Sequence, residues 1–238
     1  MTHLPYKRIL IKLSGEQLAG EHENGIDIQS IAWIASEIKA ATDLGVQIAV
    51  MVGGGNFMRG ANVAGTGLTR INADYMGMLG TAMNGLALHD IFNANDVPTR
   101  LLTSIKADQI IDQFTPRRAL SHLEKDRVVV VAGGIGQPFL TTDTAAVSLA
   151  LQLDCDIVCK LTKVDGVYDK DPMKFDDAKK FETLSLQEAV ENPNITVMDK
   201  AAMGLAAEQK KPIAVLALKT AGNLRRFVLG ESVGTVVR

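Results

Sequence analysis

Three apolar runs of this sequence end in glycines beside a cation, a hydroxyl or a carboxylate, and these residues have the types and spacing to do chemistry. Arg8 to Leu13 closes on Lys12-Leu13-Ser14-Gly15-Glu16. Ile48 to Val52 breaks into Gly53-Gly54-Gly55-Asn56, with Arg59 close behind. Arg127 to Ala132 runs into Gly133-Gly134-Ile135-Gly136-Gln137-Pro138-Phe139-Leu140-Thr141-Thr142-Asp143. A strand stopped by glycines leaves backbone N–H groups without side-chain cover, which makes an anion-binding concavity. Arg59 adds a planar cation that pairs bidentately with phosphate, and Lys12 adds a point charge. Hydroxyls at Thr141 and Thr142, ahead of an apolar-periodic helix, extend the same chemistry to a helix amino terminus. Several separate anion grips suit phosphoryl transfer between a triphosphate donor and a phosphorylated acceptor, where catalysis is mainly positioning and charge neutralisation. In such a site Asp143 could orient Lys12 or hold metal-bound water.

Each feature also has a plainer reading. The glycine triplet could be a tight strand-to-helix connector, Lys12 could snorkel to solvent, and one residue of Thr141-Thr142-Asp143 is accounted for as an N-cap. Asp74, near the start of a helix, could complement the macrodipole or accept hydrogen bonds from sugar hydroxyls. Neither G-x-x-x-x-G-K-[ST] nor G-x-G-x-x-G occurs, so neither a P-loop nor a dinucleotide-binding fingerprint is present.

The elements that must hold these residues alternate between strand and helix. Strands are expected at Arg8 to Leu13, Val46 to Val52, Pro98 to Thr103, Arg127 to Ala132, Asp156 to Leu161, Ile213 to Leu218 and Thr235 to Val237. Helices are expected at Ser30 to Leu44, with Ser30 as N-cap and Trp33 packed on it, and at Ala73 to Asn95, Thr144 to Leu153, Leu186 to Glu191 and Lys200 to Glu208, the last capped by Asp199. Ala107 to Glu124 reads as mixed. Met76, Met78, Leu79 and Met83 read as core or subunit-contact residues. Strand, helix, strand in succession implies a mainly parallel sheet, which gathers the glycine turns at its carboxyl edge. The fold class is therefore α/β, a three-layer α/β/α sandwich, and no linker, repeat or low-complexity segment divides residues 1–238.

The 238 residues and 47% hydrophobic content allow a sizeable core. A net charge of -2 gives no basic field, so no nucleic-acid partner is argued. No apolar stretch suggests a membrane span and the amino terminus lacks an h-region, so the expected location is cytoplasmic. Cys155 and Cys159 are expected to be buried free thiols, and the four histidines show no ligand spacing with them, so no zinc site is expected.

The chain resembles the bacterial uridylate kinases (UMP kinases) of the amino-acid kinase superfamily over nearly its whole length. The likeness rests on Lys12 to Glu16, Gly53 to Asn56 with Arg59-Gly60, Asp74-Tyr75-Met76-Gly77-Met78-Leu79, Pro138 to Asp143, Thr162 to Tyr168 with Asp171-Pro172, and Val197-Met198-Asp199. It implies a single amino-acid kinase domain that transfers the γ-phosphoryl group of ATP reversibly to UMP, giving ADP and UDP, on the route to pyrimidine nucleotides including CTP. Mg²⁺ would be bound mainly through ATP phosphates, with no metal-ligating side chain named. By the same resemblance Lys12 and Asp143 are catalytic, Asp143 by organising the lysine. ATP would be met by Lys12, Leu13, Ser14, Gly15, Gly55, Arg59, Thr162, Tyr168 and Asp171. UMP would be met by Gly54, Asp74 and the segment Ile135, Gly136, Gln137, Pro138, Phe139, Leu140, Thr141 and Thr142. The amino-terminal part would serve mainly UMP and the phosphates, and the part from about residue 140 mainly ATP. The family is hexameric, and many members are activated by GTP, seated where Gly20 to Gly25 lies here, and inhibited by UTP.

Two departures from the family pattern stand out. Gly134-Ile135-Gly136-Gln137-Pro138 replaces Gly-Thr-Gly-Asn-Pro, which changes side-chain but not backbone hydrogen bonding, and Met58 stands where an aromatic residue is common. A sister kinase acting on carbamate, glutamate or aspartate is the alternative within the fold, and a nucleotide-sensing module without turnover is the alternative outside catalysis. Lys12, Asp143 and Thr162 together argue for turnover.

Overall fold

A computed structural model describes residues 4–58, 67–170, 172–192 and 195–238. Arg59, Gly60 and Asp171, named above, lie outside the described residues. In chain order the elements are β1 (Arg8–Leu13), α1 (Gly15–Leu18), α2 (Ile28–Thr42), β2 (Gln47–Val52), α3 (Arg70–Ala94), β3 (Thr99–Thr103), β4 (Asp112–Gln113), α4 (Pro116–Leu123) and β5 (Val128–Ala132). There follow α5 (Thr142–Gln152), β6 (Ile157–Thr162), β7 (Thr183–Leu184), α6 (Leu186–Glu191), α7 (Lys200–Glu208), β8 (Ile213–Ala217), α8 (Asn223–Val228) and β9 (Thr235–Val237).

The strands form one sheet in the order β4-β3-β5-β2-β1-β6-β8-β9-β7. Neighbours are parallel from β4 through β8, and β9 runs antiparallel to β8. Each central strand is buried on both faces, which explains why the runs are apolar throughout rather than alternating. The period of two still decides which face a side chain joins. Ile9, Ile11 and Leu13 of β1 pack in one layer with α2 and α8, whereas Leu10 packs in the other with α5 and α7. Lys12 follows Leu10 onto the α5 face, and in β6 Lys160 follows Val158 onto the same face. The chain moves from β1 to β2 in one direction and later to β6 in the other, so β1 sits at the switch point where open α/β sheets bind ligands.

The helix expectations shift at their starts. Asp27, not Ser30, caps α2: its carboxylate accepts from the Ser30 N–H at 2.6 Å, because an Asx cap reaches the third residue of the first turn. Thr69 caps α3, so that helix begins three residues earlier than its apolar content suggests. Thr141 caps α5, which draws Thr142 and Asp143 into the first helical turn. Trp33 is 38% exposed on α2, with its indole N–H directed to the Leu218 carbonyl at 3.4 Å. The short elements α1, β4, β7 and α8 have too few residues to show a period and had not been anticipated. Both cysteines are buried and free, and burial pushes the Cys155 thiol up to about 12, so it stays protonated and inert.

Candidate active site

The carboxyl ends of β1, β2 and β5 enclose a cavity of about 360 Å³. Lys12, Ser14, Gly15, Gly53, Gly54, Gly55, Gly134, Ile135, Leu140, Thr141, Thr142 and Asp143 all line it, with Arg70 and Asp74 from α3 and Asp199 from the start of α7. The three glycine turns thus meet around one space, as the parallel sheet requires.

At its floor Lys12 and Asp143 are 8% and 9% exposed, with Lys12 Nζ 2.7 Å from Asp143 Oδ1. Lys12 is therefore committed to the site interior and does not snorkel to solvent. Asp143 Oδ2 accepts from Lys160 Nζ at 3.0 Å, and Lys160 also donates to the Val197 carbonyl at 2.7 Å. Burial raises the Asp143 carboxyl, but the two ammonium groups outweigh burial and hold it below the ordinary carboxylate value. For Lys160 burial comes first and lowers its affinity for a proton, with Asp143 opposing. The sequence reading had passed over Lys160. The available signal was a lysine inside an apolar strand run.

Close approach explains two glycines. A Cβ on Gly15 would overlap Asn56 Oδ1 and stand 2.8 Å from Gly55 N; one on Gly54 would overlap the Gly77 carbonyl and stand 3.1 Å from Thr81 N. The first two turns are locked by a pair of wholly buried amides, Asn56 and Asn84, whose pairing the sequence reading did not anticipate. Asn56 Nδ2 donates to Asn84 Oδ1 at 2.9 Å, and Asn84 Nδ2 returns to Asn56 Oδ1 at 2.7 Å. The spare protons go to Gly25 O at 2.6 Å and Gly53 O at 2.7 Å. Thr81 holds the third turn by accepting from the Gly133 N–H at 2.6 Å.

The α3 side of the mouth is bridged. Arg70 Nε lies 2.9 Å from both Asp74 oxygens, and Asp74 Oδ2 also accepts from the Phe139 N–H at 2.9 Å. Phe139 has φ +68, a left-handed conformation uncommon for a bulky residue, and its ring, 63% exposed, lies 5.6 Å below the Arg70 guanidinium carbon. On the far side Asp199 accepts from the Ala202 N–H at 2.9 Å, from Thr144 Oγ1 at 3.1 Å and from Thr141 Oγ1.

The other named residues fall elsewhere. Leu13 is fully buried and can offer a ligand only its backbone, whose carbonyl already accepts from Gly53 N at 2.8 Å. Gly136, Gln137, Pro138 and Phe139 belong to the loop over the mouth and do not line the cavity floor. Thr162 lines a second, larger cavity of about 780 Å³ on the α2 side, with Gln17, Trp33 and Leu218. Tyr168 lines neither cavity; its hydroxyl donates to Asp165 at 2.6 Å. Among the described residues no group of three or more His, Cys, Asp or Glu side chains is placed to hold a metal ion, and no helix is long and apolar enough to cross a membrane.

This nest of glycine turns around a buried lysine–aspartate pair sits on a recognised scaffold: residues 7–217 match the amino acid kinase family, and the chain belongs to it. Among solved structures it is similar to a UMP kinase from Bacillus anthracis, with 37% identity, 98% of this chain and 96% of that one covered, and a TM-score of 0.94. It is also similar to a UMP kinase from Ureaplasma parvum, at 30% identity, 97% and 98% coverage and a TM-score of 0.89. A uridylate kinase from Archaeoglobus fulgidus matches at 26% identity, 97% and 99% coverage and a TM-score of 0.71.

Proposed function

We propose that this chain is a uridylate kinase, transferring the γ-phosphoryl group of ATP to UMP and giving ADP and UDP. The observation that carries the reading is the convergence of three glycine turns on the Lys12–Asp143 pair in one cavity at the sheet's switch point. In the transfer a UMP phosphate oxygen forms a bond to the γ-phosphorus as the bond from that phosphorus to the β,γ-bridging oxygen of ATP breaks. No protein nucleophile is needed. Lys12 neutralises charge gathering on the moving group, and Asp143 fixes the ammonium where that charge develops. Backbone N–H groups of the glycine turns orient the phosphates.

The donor set fits Mg²⁺ carried on ATP phosphates. Both oxygens of Asp143 are already engaged by lysines, and the turns offer N–H groups, which bind anions rather than metal. Bound that way, the ion would add charge neutralisation on the donor phosphates.

The same reading assigns the amino-terminal part, with Gly54 and Asp74, mainly to UMP and the phosphates, and the part from about residue 140, with Thr162, Tyr168 and Asp171, mainly to ATP. It makes the protein a cytoplasmic, homohexameric enzyme of pyrimidine nucleotide synthesis, responsive to GTP and UTP. Self-association is supported by an exposed apolar stripe on α3, where Ile71, Tyr75, Leu79 and Met83 recur every fourth residue and are 47%, 45%, 58% and 50% exposed. Regulation through Gly20 to Gly25 is supported by the two hydrogen bonds joining Gly25 to Asn56 beside the phosphate turns. A coupled ADP-release assay over a panel of acceptors tests the function: UMP should be the best substrate, and equal or better turnover of CMP, glutamate or carbamate would overturn it.

A further inference from the structure

Lys160 does not line the cavity, yet it takes up one of the two oxygens of the carboxylate that faces it. Lys12 and Lys160 are register partners on adjacent parallel strands, so their side chains leave the same sheet face about 5 Å apart at the backbone. Two ammonium groups so close repel, and Asp143 between them forms an ion pair with one on each oxygen. Lys160 is further fixed by the Val197 carbonyl, two residues before Asp199, which ties the start of α7 to Thr141 and Thr144 of the α5 cap.

We propose that Lys160 is a positioning residue for phosphoryl transfer: by occupying Asp143 Oδ2 it leaves Lys12 a single carboxylate oxygen and keeps the Lys12–Asp143–Lys160 cluster net positive. Two ammonium groups and one carboxylate sum to +1, so Lys12 retains attraction for phosphate that a one-to-one ion pair would cancel. Without Lys160, Asp143 is free to turn both oxygens onto Lys12 and draw the ammonium down from the ligand. The charged groups acting on Asp143 are Lys12 from β1 and Lys160 from β6; Asp199, at the start of α7, acts on Lys160, while Glu16, Arg70 and Asp74 stand elsewhere on the cavity wall. Removing Lys160 thus takes away one of the two cations that oppose burial at Asp143, and the carboxyl should become easier to protonate.

The inference rests on the phosphoryl-transfer reading, and its test separates the two. The Asp143 carboxyl is titrated by ¹³C NMR in ligand-free enzyme, wild type and Lys160→Gln, and kcat and KM are measured against pH with MgATP and UMP. Wild-type Asp143 should titrate below the ordinary 3.8. Lys160→Gln should move that titration and the acid limb of kcat upward, and lower kcat by about tenfold or more with KM changed much less. Lys160→Arg, which keeps the charge, should retain the wild-type limb and most of kcat. A lower kcat with an unmoved titration, or a moved titration with unchanged kcat, would overturn the proposal. Should Lys160→Gln not fold, an ordinary or raised wild-type Asp143 titration would overturn it alone. A wild-type enzyme inert toward UMP overturns the functional reading, and the lysine clamp is then judged on the titration.

Discussion

Phe139 and Asp74, 65 positions apart in the chain, are joined across the cavity mouth by a hydrogen bond of 2.9 Å from the Phe139 N–H to Asp74 Oδ2. The carboxylate that the functional reading assigns to the UMP ribose is thus already engaged by a loop amide and by Arg70 in the ligand-free protein. A ribose would take over acceptor positions that now hold the loop in place.

Asp74→Asn should therefore weaken UMP binding more than ATP binding. An amide offers one acceptor oxygen where the carboxylate offers two, and loss of a charged hydrogen bond costs about 1.5 to 3 kcal/mol, a tenfold to hundredfold rise in Kd. If Asp74 served only the α3 amino terminus, the change would cost at most about 1 kcal/mol of stability and leave both affinities alone. Isothermal titration with UMP and with a nonhydrolysable ATP analogue, beside a thermal melt, distinguishes the two.

Lys12→Ala should reduce kcat by about a hundredfold or more with a smaller effect on the KM for UMP, because the ammonium acts on charge that peaks in the transition state. Steady-state kinetics check this, and a near wild-type kcat would remove Lys12 from the catalytic role.

Acid should expose the Asp143 pair as a stability term. The folded-state value lies below the ordinary 3.8, so the stabilisation is fully present above 3.8 and is lost as pH falls through the lower folded value. Asp143→Asn leaves two buried ammonium groups uncompensated at neutral pH, and loss of one partner of a buried pair costs about 3–5 kcal/mol. Thermal melts from pH 7 to pH 3 should show the gap between wild type and variant closing below about pH 4. A gap independent of pH would mean that the Asp143 carboxyl has the same proton affinity folded as unfolded, and a gap that widens toward acid would mean that it is protonated in the folded protein.

Asn84→Ala should cost about 1–3 kcal/mol for each polar group it strands, namely Asn56 Oδ1, one Asn56 amide proton and the Gly53 carbonyl. Denaturant unfolding with an unchanged m-value would report it directly, and a loss well under 1 kcal/mol would mean that water replaces the amide.

The sheet was legible because its strands are buried on both faces and announce themselves as unbroken apolar runs, and the helix Lys200–Glu208 was legible from its Asp199 cap. The glycine turns were legible for the same reason: in a parallel sheet every strand end on one edge is a candidate site. What escaped was what only tertiary packing creates. Lys160 looks like any lysine in a strand until register sets it beside Lys12, and Asn84 looks like a polar interruption of a long helix until it meets Asn56. The two-residue strands β4 and β7 exist because a neighbour pairs with them, not because their residues favour extension.

The buried amide pair also constrains how this sequence can drift. An alanine at position 15 requires the oxygen of Asn56 to vacate its place; a shorter residue at position 56 strands Asn84 and frees the carbonyl of Gly25; and a change at position 84 strands Asn56 in turn. Positions 15, 56 and 84 are therefore expected to be exchanged as a set or retained as a set. A library randomised at the three sites together should return functional combinations in which the residues are correlated, and the single-site libraries should return little besides the starting residue.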